Sequence, residues 1–199
     1  MKKLGITGGI GSGKSEVLNY IRDNYDARII YTDLVAKDLH KRDGECFDEI
    51  ADIIGRDAIG NDGEIIHAEM AKRIYKNPDL LTRVNKVLHP AVKRYVLDEM
   101  KIEEENGREF FFVEAALLIE DHYDEILDKL IYVYASKETR RERLKKSRGY
   151  SDEKIDDIFS KQLSDDEYLA GTDYIIDNDA DIAAMQKNVD EIIIKIRDL

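Results

Sequence analysis

Residues 7–15 read TGGIGSGKS, from Thr7 to Ser15, and this stretch decides the fold. Gly8 to Ser15 fits G-x-x-x-x-G-K-[ST] in full. The strand-like run KLGIT (Lys3–Thr7) precedes it, and the helical stretch SEVLNYIRDNY follows it. The low side-chain bulk has a chemical reason. Several backbone N–H groups must turn inward around a phosphate chain, which calls for glycine's positive φ and missing Cβ. The helix beginning near Gly13 adds its positive dipole end. In this pattern Gly9, Gly11, Ser12 and Gly13 supply the cradle. Lys14 reaches the outer phosphates, and the Ser15 hydroxyl ligates Mg²⁺. A nucleotide such as ATP is the expected ligand.

Outward from this loop, four further runs have the same character: Arg28–Thr32, Glu109–Ala115, Leu130–Ala135 and Tyr174–Asp177. Each is short and apolar without strict alternation, as a strand buried on both faces must be. Helical stretches separate them. The expected fold is therefore α/β, a P-loop nucleotide-binding fold with a five-stranded parallel sheet and helices on both sides. About 75 residues lie between the second and third runs, too many for a plain crossover. They predict an inserted helical lobe over 34–108, with Pro90 as a helix restart and GNDGE (Gly60–Glu64) as a turn. KIEEENG (Lys101–Gly107) reads as a solvated exit whose glutamates need no functional account. The core is then 1–33, 109–136 and 166–199, with a lid over 137–165.

Composition excludes several classes. The chain has 199 residues and a net charge of −12, which disfavours a general binder of nucleic acid or anionic membrane. A local basic pocket for a small anionic substrate remains compatible with it. Cys46 is the only cysteine, so no intrachain disulfide forms. No long apolar run suggests a signal peptide or a membrane span. The expectation is a soluble cytoplasmic protein, a monomer or small homo-oligomer.

A P-loop alone does not specify a reaction. The guanine-nucleotide motif N-K-x-D is not met, since Asn85-Lys86-Val87-Leu88 lacks the aspartate and sits inside a helical stretch. A small-molecule kinase fits the size, and it needs an acceptor-orienting carboxylate and a basic lid. Asp33, after the second strand in RIIYTD, reads either as that carboxylate or as the N-cap of the next helix. KETRRERLKKSRGYSDEK (Lys137–Lys154) reads either as a phosphate-clamping lid or as a solvated basic helix face. Ser151 before Asp152 and Glu153 predicts a helix N-cap. The four histidines show no metal-ligand spacing, and His89 caps a helix or touches acceptor.

Together these segments resemble the dephospho-CoA kinase family over nearly the whole chain. GITGGIGSGKS resembles its opening, and YTDLVAKDL its D-A-D-x-x-A-R segment. IIGRDAIGNDGEI is similar to its F-G-x-x-I-L-x-x-D-G stretch, VLHPAV to its L-H-P motif and EAALLIE to its D-V-P-L-L-F-E. SKETRRERLKKSRGYSDEKI resembles its lid, KQL its I-x-x-Q element and TDYIIDND its A-D-x-V-I-x-N. The resemblance implies transfer of phosphate from ATP to the ribose 3′-hydroxyl of 3′-dephospho-CoA, giving ADP and coenzyme A, with Mg²⁺. Asp33 takes the base position, Arg143 the lid arginine, Arg148 a second phosphate contact, and Asn178 and Glu16 complete the nucleotide site. The open alternatives are another small-molecule P-loop kinase or a non-catalytic nucleotide-binding regulator. Some positions depart from the family. Glu16 stands for a common Thr, Tyr31 for the first aspartate, Ala115 and Ala116 for Val-Pro, His67 for a basic residue, and Ala180 for a glycine. These bear on acceptor affinity more than on reaction class.

Overall fold

Five short apolar strands that shun water on both faces can only stack side by side between helices. The computed structural model describes residues 1–198 and shows this arrangement. The strands are β1 (Lys2–Thr7), β2 (Ala27–Tyr31), β3 (Phe110–Glu114), β4 (Lys129–Tyr134) and β5 (Tyr174–Asp177). They form one sheet in the order β2-β3-β1-β4-β5. β1 is central and runs parallel to β3 (Leu4 opposite Phe112) and to β4 (Ile6 opposite Ile131). β4 and β5 are also parallel, with Val133 opposite Ile176. Leu4, Ile6, Phe110, Phe111, Phe112, Ile131 and Val133 are all fully buried, so FFF is core as its composition demands. Being central, β1 delivers its C-terminal end, and with it the glycine-rich turn, into the middle of the sheet edge.

The chain divides into two compact units. The first joins Met1–Ile30 to the stretch from Ile102 onward and carries the sheet. Its helices are α1 (Lys14–Asn24), α6 (Lys137–Arg148), α7 (Asp152–Ser160), α8 (Asp165–Ala170) and α9 (Ile182–Arg197). Helix α9 packs on β5 and α1 through Met185, Val189 and Ile193. Caps define the short helices. Ser151 accepts from the Lys154 N–H at the start of α7. Ser164 and Glu167 form a capping box on α8.

The second unit, Tyr31–Lys101, is helical. It holds α2 (Thr32–Leu39), α3 (Phe47–Ile54), α4 (His67–Lys76) and most of α5 (Asp79–Glu105). In FDEIADII the apolar residues recur at i, i+3, i+4 and i+7. That face buries Ile50, Ala51 and Ile54 in a small core with Cys46, Ala58, Ile65, Val84 and Ala91. The GNDGE turn closes a tight hairpin. Gly60 N–H donates to the Glu64 carbonyl at 2.8 Å, and Asp62 accepts from the Glu64 N–H at 3.0 Å.

Two expectations are corrected. Pro90 does not restart a helix, because α5 runs unbroken from Asp79 to Glu105 with the proline inside it. Apolar residues on both sides of the proline, Val84 before it and Ala91, Val96 and Met100 after it, are buried along one helix. That packing holds the segment helical despite one missing backbone donor. His89 consequently lies inside the helix and not at its end. KIEEENG is not simply a solvated exit either. Helix α5 continues to Glu105, and Glu103 is buried, accepting from Arg108 Nε at 2.9 Å. No helix among the described residues is long and apolar enough to cross a membrane.

Pro90 is itself exposed, so its ring contributes little packing. Pro90→Ala should restore a donor to α5 and raise unfolding stability by about 1–3 kcal/mol. Urea unfolding checks this, and a lower midpoint would show that the ring supports the helix in place.

Candidate active site

The turn after β1 takes backbone conformations that favour glycine, with positive φ at Gly11 and Gly13. Gly13 is the N-cap of α1 in the left-handed region, with φ of 89°. A Cβ there would also lie 2.1 Å from Asn178 Nδ2, so only glycine satisfies both backbone and neighbour. Ser12 N–H donates to the Gly9 carbonyl at 3.1 Å and closes the turn. The Ser12 carbonyl then accepts from Asn178 Nδ2 at 2.7 Å and from Arg143 Nη1 at 3.3 Å. Arg143 Nη2 donates to the Asn178 carbonyl at 2.8 Å. The loop is thereby tied to the residue after β5 and to α6.

The strand ends carry this frame. Asn178 N–H donates to the Tyr134 carbonyl at 2.9 Å, extending the β4/β5 ladder by one bond. Ser136 N–H donates to Asp179 Oδ1 at 2.9 Å, and the Ser136 hydroxyl caps α6 by accepting from Thr139 N–H at 3.2 Å. The Thr139 hydroxyl and then the Ser136 N–H hold the Asp179 carboxyl below the usual carboxylate range.

Lys14 curls back over the loop. Its ammonium donates to the Gly8 carbonyl at 2.7 Å and lies 3.8 Å from Glu114 Oε1 at the end of β3. Ser15 is exposed in the first turn of α1. Glu16 donates its N–H to the Gly13 carbonyl at 2.9 Å as part of that turn, while its carboxylate is solvated. Two hydroxyls at the loop, Thr7 Oγ1 and Ser12 Oγ, are buried without a hydrogen-bond partner. Orphaned buried hydroxyls beside an amide-lined turn are what a polar ligand would satisfy.

The basic segment divides sharply by position. Arg141 pairs with Asp152 at 2.7 Å and with Asp156, and Lys145 pairs with Asp152 at 2.8 Å. Arg148 is exposed over the Tyr150 ring at 5.9 Å and lowers the Tyr150 phenol below its ordinary value. Arg143 therefore meets the loop, whereas Arg148 meets Tyr150. Three groups at the loop had no assigned role from sequence. Glu114 faces Lys14, Gln162 Oε1 accepts from the Ile10 N–H at 3.2 Å, and Arg140 is 3% exposed against Gly9. Gln162 lay in the KQL segment and Arg140 in the basic run, but their sequence distances from the loop hid the contact.

In the helical unit, Asp33 is the second residue of α2, and Tyr31 is the N-cap. Asp33 is exposed and makes no side-chain cap bond. The capping alternative thus fails, because Asp33 sits two positions past the N-cap. A separate cavity of about 440 Å³ in this unit is lined by Lys37, Lys41, Asp62, Glu64 and His67 among others. His67 opens α4 and lies edge-on to His40, with ring centroids 5.8 Å apart.

Among the described residues no three His, Cys, Asp or Glu side chains converge as a metal cage. The oxygen donor in the first turn of α1 is the Ser15 hydroxyl. That sparse oxygen set fits Mg²⁺, which keeps waters and phosphate oxygens and takes few protein ligands.

A sequence profile described as dephospho-CoA kinase matches residues 3–184. A dephospho-CoA kinase of Streptococcus mutans is 30% identical over 189 residues, covering 95% of this chain and 94% of the relative. One of Listeria monocytogenes is 29% identical over 188 residues, 94% of each. The fold matches a solved dephospho-CoA kinase of Campylobacter jejuni at a TM-score of 0.71 and 21% identity, covering 97% of this chain and 96% of that one. It also matches a shikimate kinase of Bacteroides thetaiotaomicron at a TM-score of 0.57 and 14% identity, over 100% and 99% of the two chains. With the loop intact and the profile spanning most of its length, the chain belongs to the dephospho-CoA kinase family.

Proposed function

We propose that the chain transfers the γ-phosphoryl group of ATP to the ribose 3′-hydroxyl of 3′-dephospho-CoA, giving ADP and coenzyme A. The observation that carries this is the amide-lined turn with Lys14 folded onto it, inside a chain of this family. The loop amides and the dipole of α1 hold the phosphate chain. Lys14, now on the Gly8 carbonyl and near Glu114, exchanges those acceptors for phosphate oxygens and offsets charge on the transferring group. Gly9, Gly11, Ser12 and Gly13 form the cradle, with Glu16 in the first turn behind it. Ser15 would hold Mg²⁺ together with the nucleotide, and the ion would supply charge neutralisation at the phosphates.

Asp33 is the acceptor's base in this reading. Its exposed carboxylate, uncommitted to a cap, orients the 3′-hydroxyl and takes its proton as the new P–O bond forms. Residues 34–108 receive the acceptor, and the cavity with Lys37, Lys41 and His67 suits its anionic phosphates. Residues 137–165 act as the lid. Arg143 anchors the loop and contacts the nucleotide together with Asn178, while Arg148 is the outer arginine of the lid. Cytoplasmic residence accords with an enzyme of small soluble substrates.

Asp33→Asn should leave ATP affinity within a few-fold while lowering turnover by about 10²–10⁴. Mass-detected formation of coenzyme A from Mg-ATP and dephospho-CoA measures it, and normal turnover would remove Asp33 from the chemistry. Arg143→Ala withdraws donors from the Ser12 and Asn178 carbonyls. It should weaken ATP and ADP binding alike, by about 10–100-fold, as read by calorimetry. Unchanged affinity for both nucleotides would show that Asn178 holds the loop alone.

A further inference from the structure

One charged group at the loop is only partly matched by its partner. Arg140, in α6, is 3% exposed, yet its guanidinium is poorly satisfied. Its Nε is buried with no hydrogen-bond partner. Asp165 Oδ1 lies 3.6 Å from Nη2, an ion pair too long for a hydrogen bond. Asp165 is also shared, accepting from the Tyr132 hydroxyl at 2.8 Å. The Phe159 ring sits 4.8 Å beneath the guanidinium carbon. A buried cation with so few acceptors is costly unless an anion completes its shell.

The position of Arg140 says where that anion belongs. A Cβ on Gly9 would lie 1.9 Å from Nη1, so the guanidinium rests on the loop at Gly9. Gln162 holds the adjoining Ile10 N–H at 3.2 Å. Lys14 Nζ is on the Gly8 carbonyl at 2.7 Å, one residue away. Lys14 and Arg140 therefore flank the same end of the turn, whereas Arg143 holds the other end at Ser12.

We infer that Arg140 is a further catalytic residue, binding the γ-phosphoryl oxygens at the Gly9 end of the loop as an arginine supplied within the chain. This rests on the kinase reading above and adds a residue to it. Phe159 and Asp165, at the end of α7 and the start of α8, are positioning residues that hold the guanidinium in place. The reaction balance is unaltered. The acceptor oxygen bonds to the γ-phosphorus as the bond to the β,γ-bridging oxygen breaks. That electron pair leaves with ADP, and the hydroxyl proton goes to Asp33. Arg140 offers N–H donors to oxygens whose charge rises during transfer, and neither gains nor loses a proton.

The test separates a phosphoryl contact from mere packing by comparing nucleotides. In Arg140→Gln, ADP affinity should stay within about threefold. Affinity for a non-hydrolysable ATP analogue should fall at least about tenfold, and turnover by about 10²–10³ or more. Arg140→Lys keeps a charge opposite Asp165 and protects the fold, which thermal melting verifies. It should recover part of the turnover while still losing affinity for the ATP analogue selectively. Asp165→Asn should lower turnover less than Arg140→Gln does, with ADP affinity unchanged. Equal losses for ADP and the ATP analogue in the folded Arg140→Lys protein, or wild-type turnover in Arg140→Gln, would overturn the inference. A wild-type protein that makes no coenzyme A would sink the kinase reading instead, so the two failures are distinct.

Discussion

The carbonyl of Ser12 is the point on which the nucleotide loop depends. A turn that must keep amides for a ligand has few of them to hold itself together: here Ser12 N–H closes onto the Gly9 carbonyl and Ile10 N–H goes to Gln162. Its shape has to be fixed from outside, through its carbonyls. Here the Ser12 carbonyl takes Asn178 Nδ2 at 2.7 Å and Arg143 Nη1 at 3.3 Å, so the residue after β5 and helix α6 hold the turn between them. The strand order makes this possible. β4 and β5 lie on one side of β1, and the connections leaving them arrive beside the loop that leaves β1. The glycine at position 13 follows from the same constraint, since Asn178 can come that close only to a residue without a Cβ.

Much of this was legible from sequence because the governing constraints were local. A strand buried on both faces must be apolar throughout, and the five runs were found within a residue or two of their observed ends. The loop's composition is likewise a local consequence of amide geometry. The misreadings have non-local causes. Pro90 is a strong local signal for a helix break, yet the burial of Val84 before it and of Ala91, Val96 and Met100 after it outweighs it. Glu103 looked solvated because its neighbours in sequence are glutamates. Its partner Arg108 becomes visible only once the chain has turned at Gly107.

The site shows the same division. Lys14 and Ser15 are placed by a contiguous motif and could be assigned directly. Gln162 meets Ile10 across 152 positions, and Arg143 meets Ser12 across 131, so no spacing rule reaches them. Asp33 is an intermediate case. Its place after β2 could be read, but its role as a cap or a free carboxylate turned on two residues of helix register, and the register put Tyr31 at the cap.

The lid shows why a charge count overstates a binding surface. From Lys137 to Arg148 there are seven basic residues against two acidic ones, which reads as a phosphate clamp. The neutralising carboxylates lie further along the chain, on the next two helices. Asp152 takes Arg141 and Lys145, Asp156 takes Arg141 again, and Asp165 faces Arg140. Exposed pairs such as Arg141 with Asp152 contribute little to stability, being screened by water and salt. Their effect is to remove those cations from competition for phosphate. Of the paired set, only Arg140 is both buried and incompletely matched, and only Arg140 and Arg143 touch the loop. In an acidic protein, specificity for a small anion thus comes less from the number of arginines than from how many the neighbouring carboxylates leave undersatisfied.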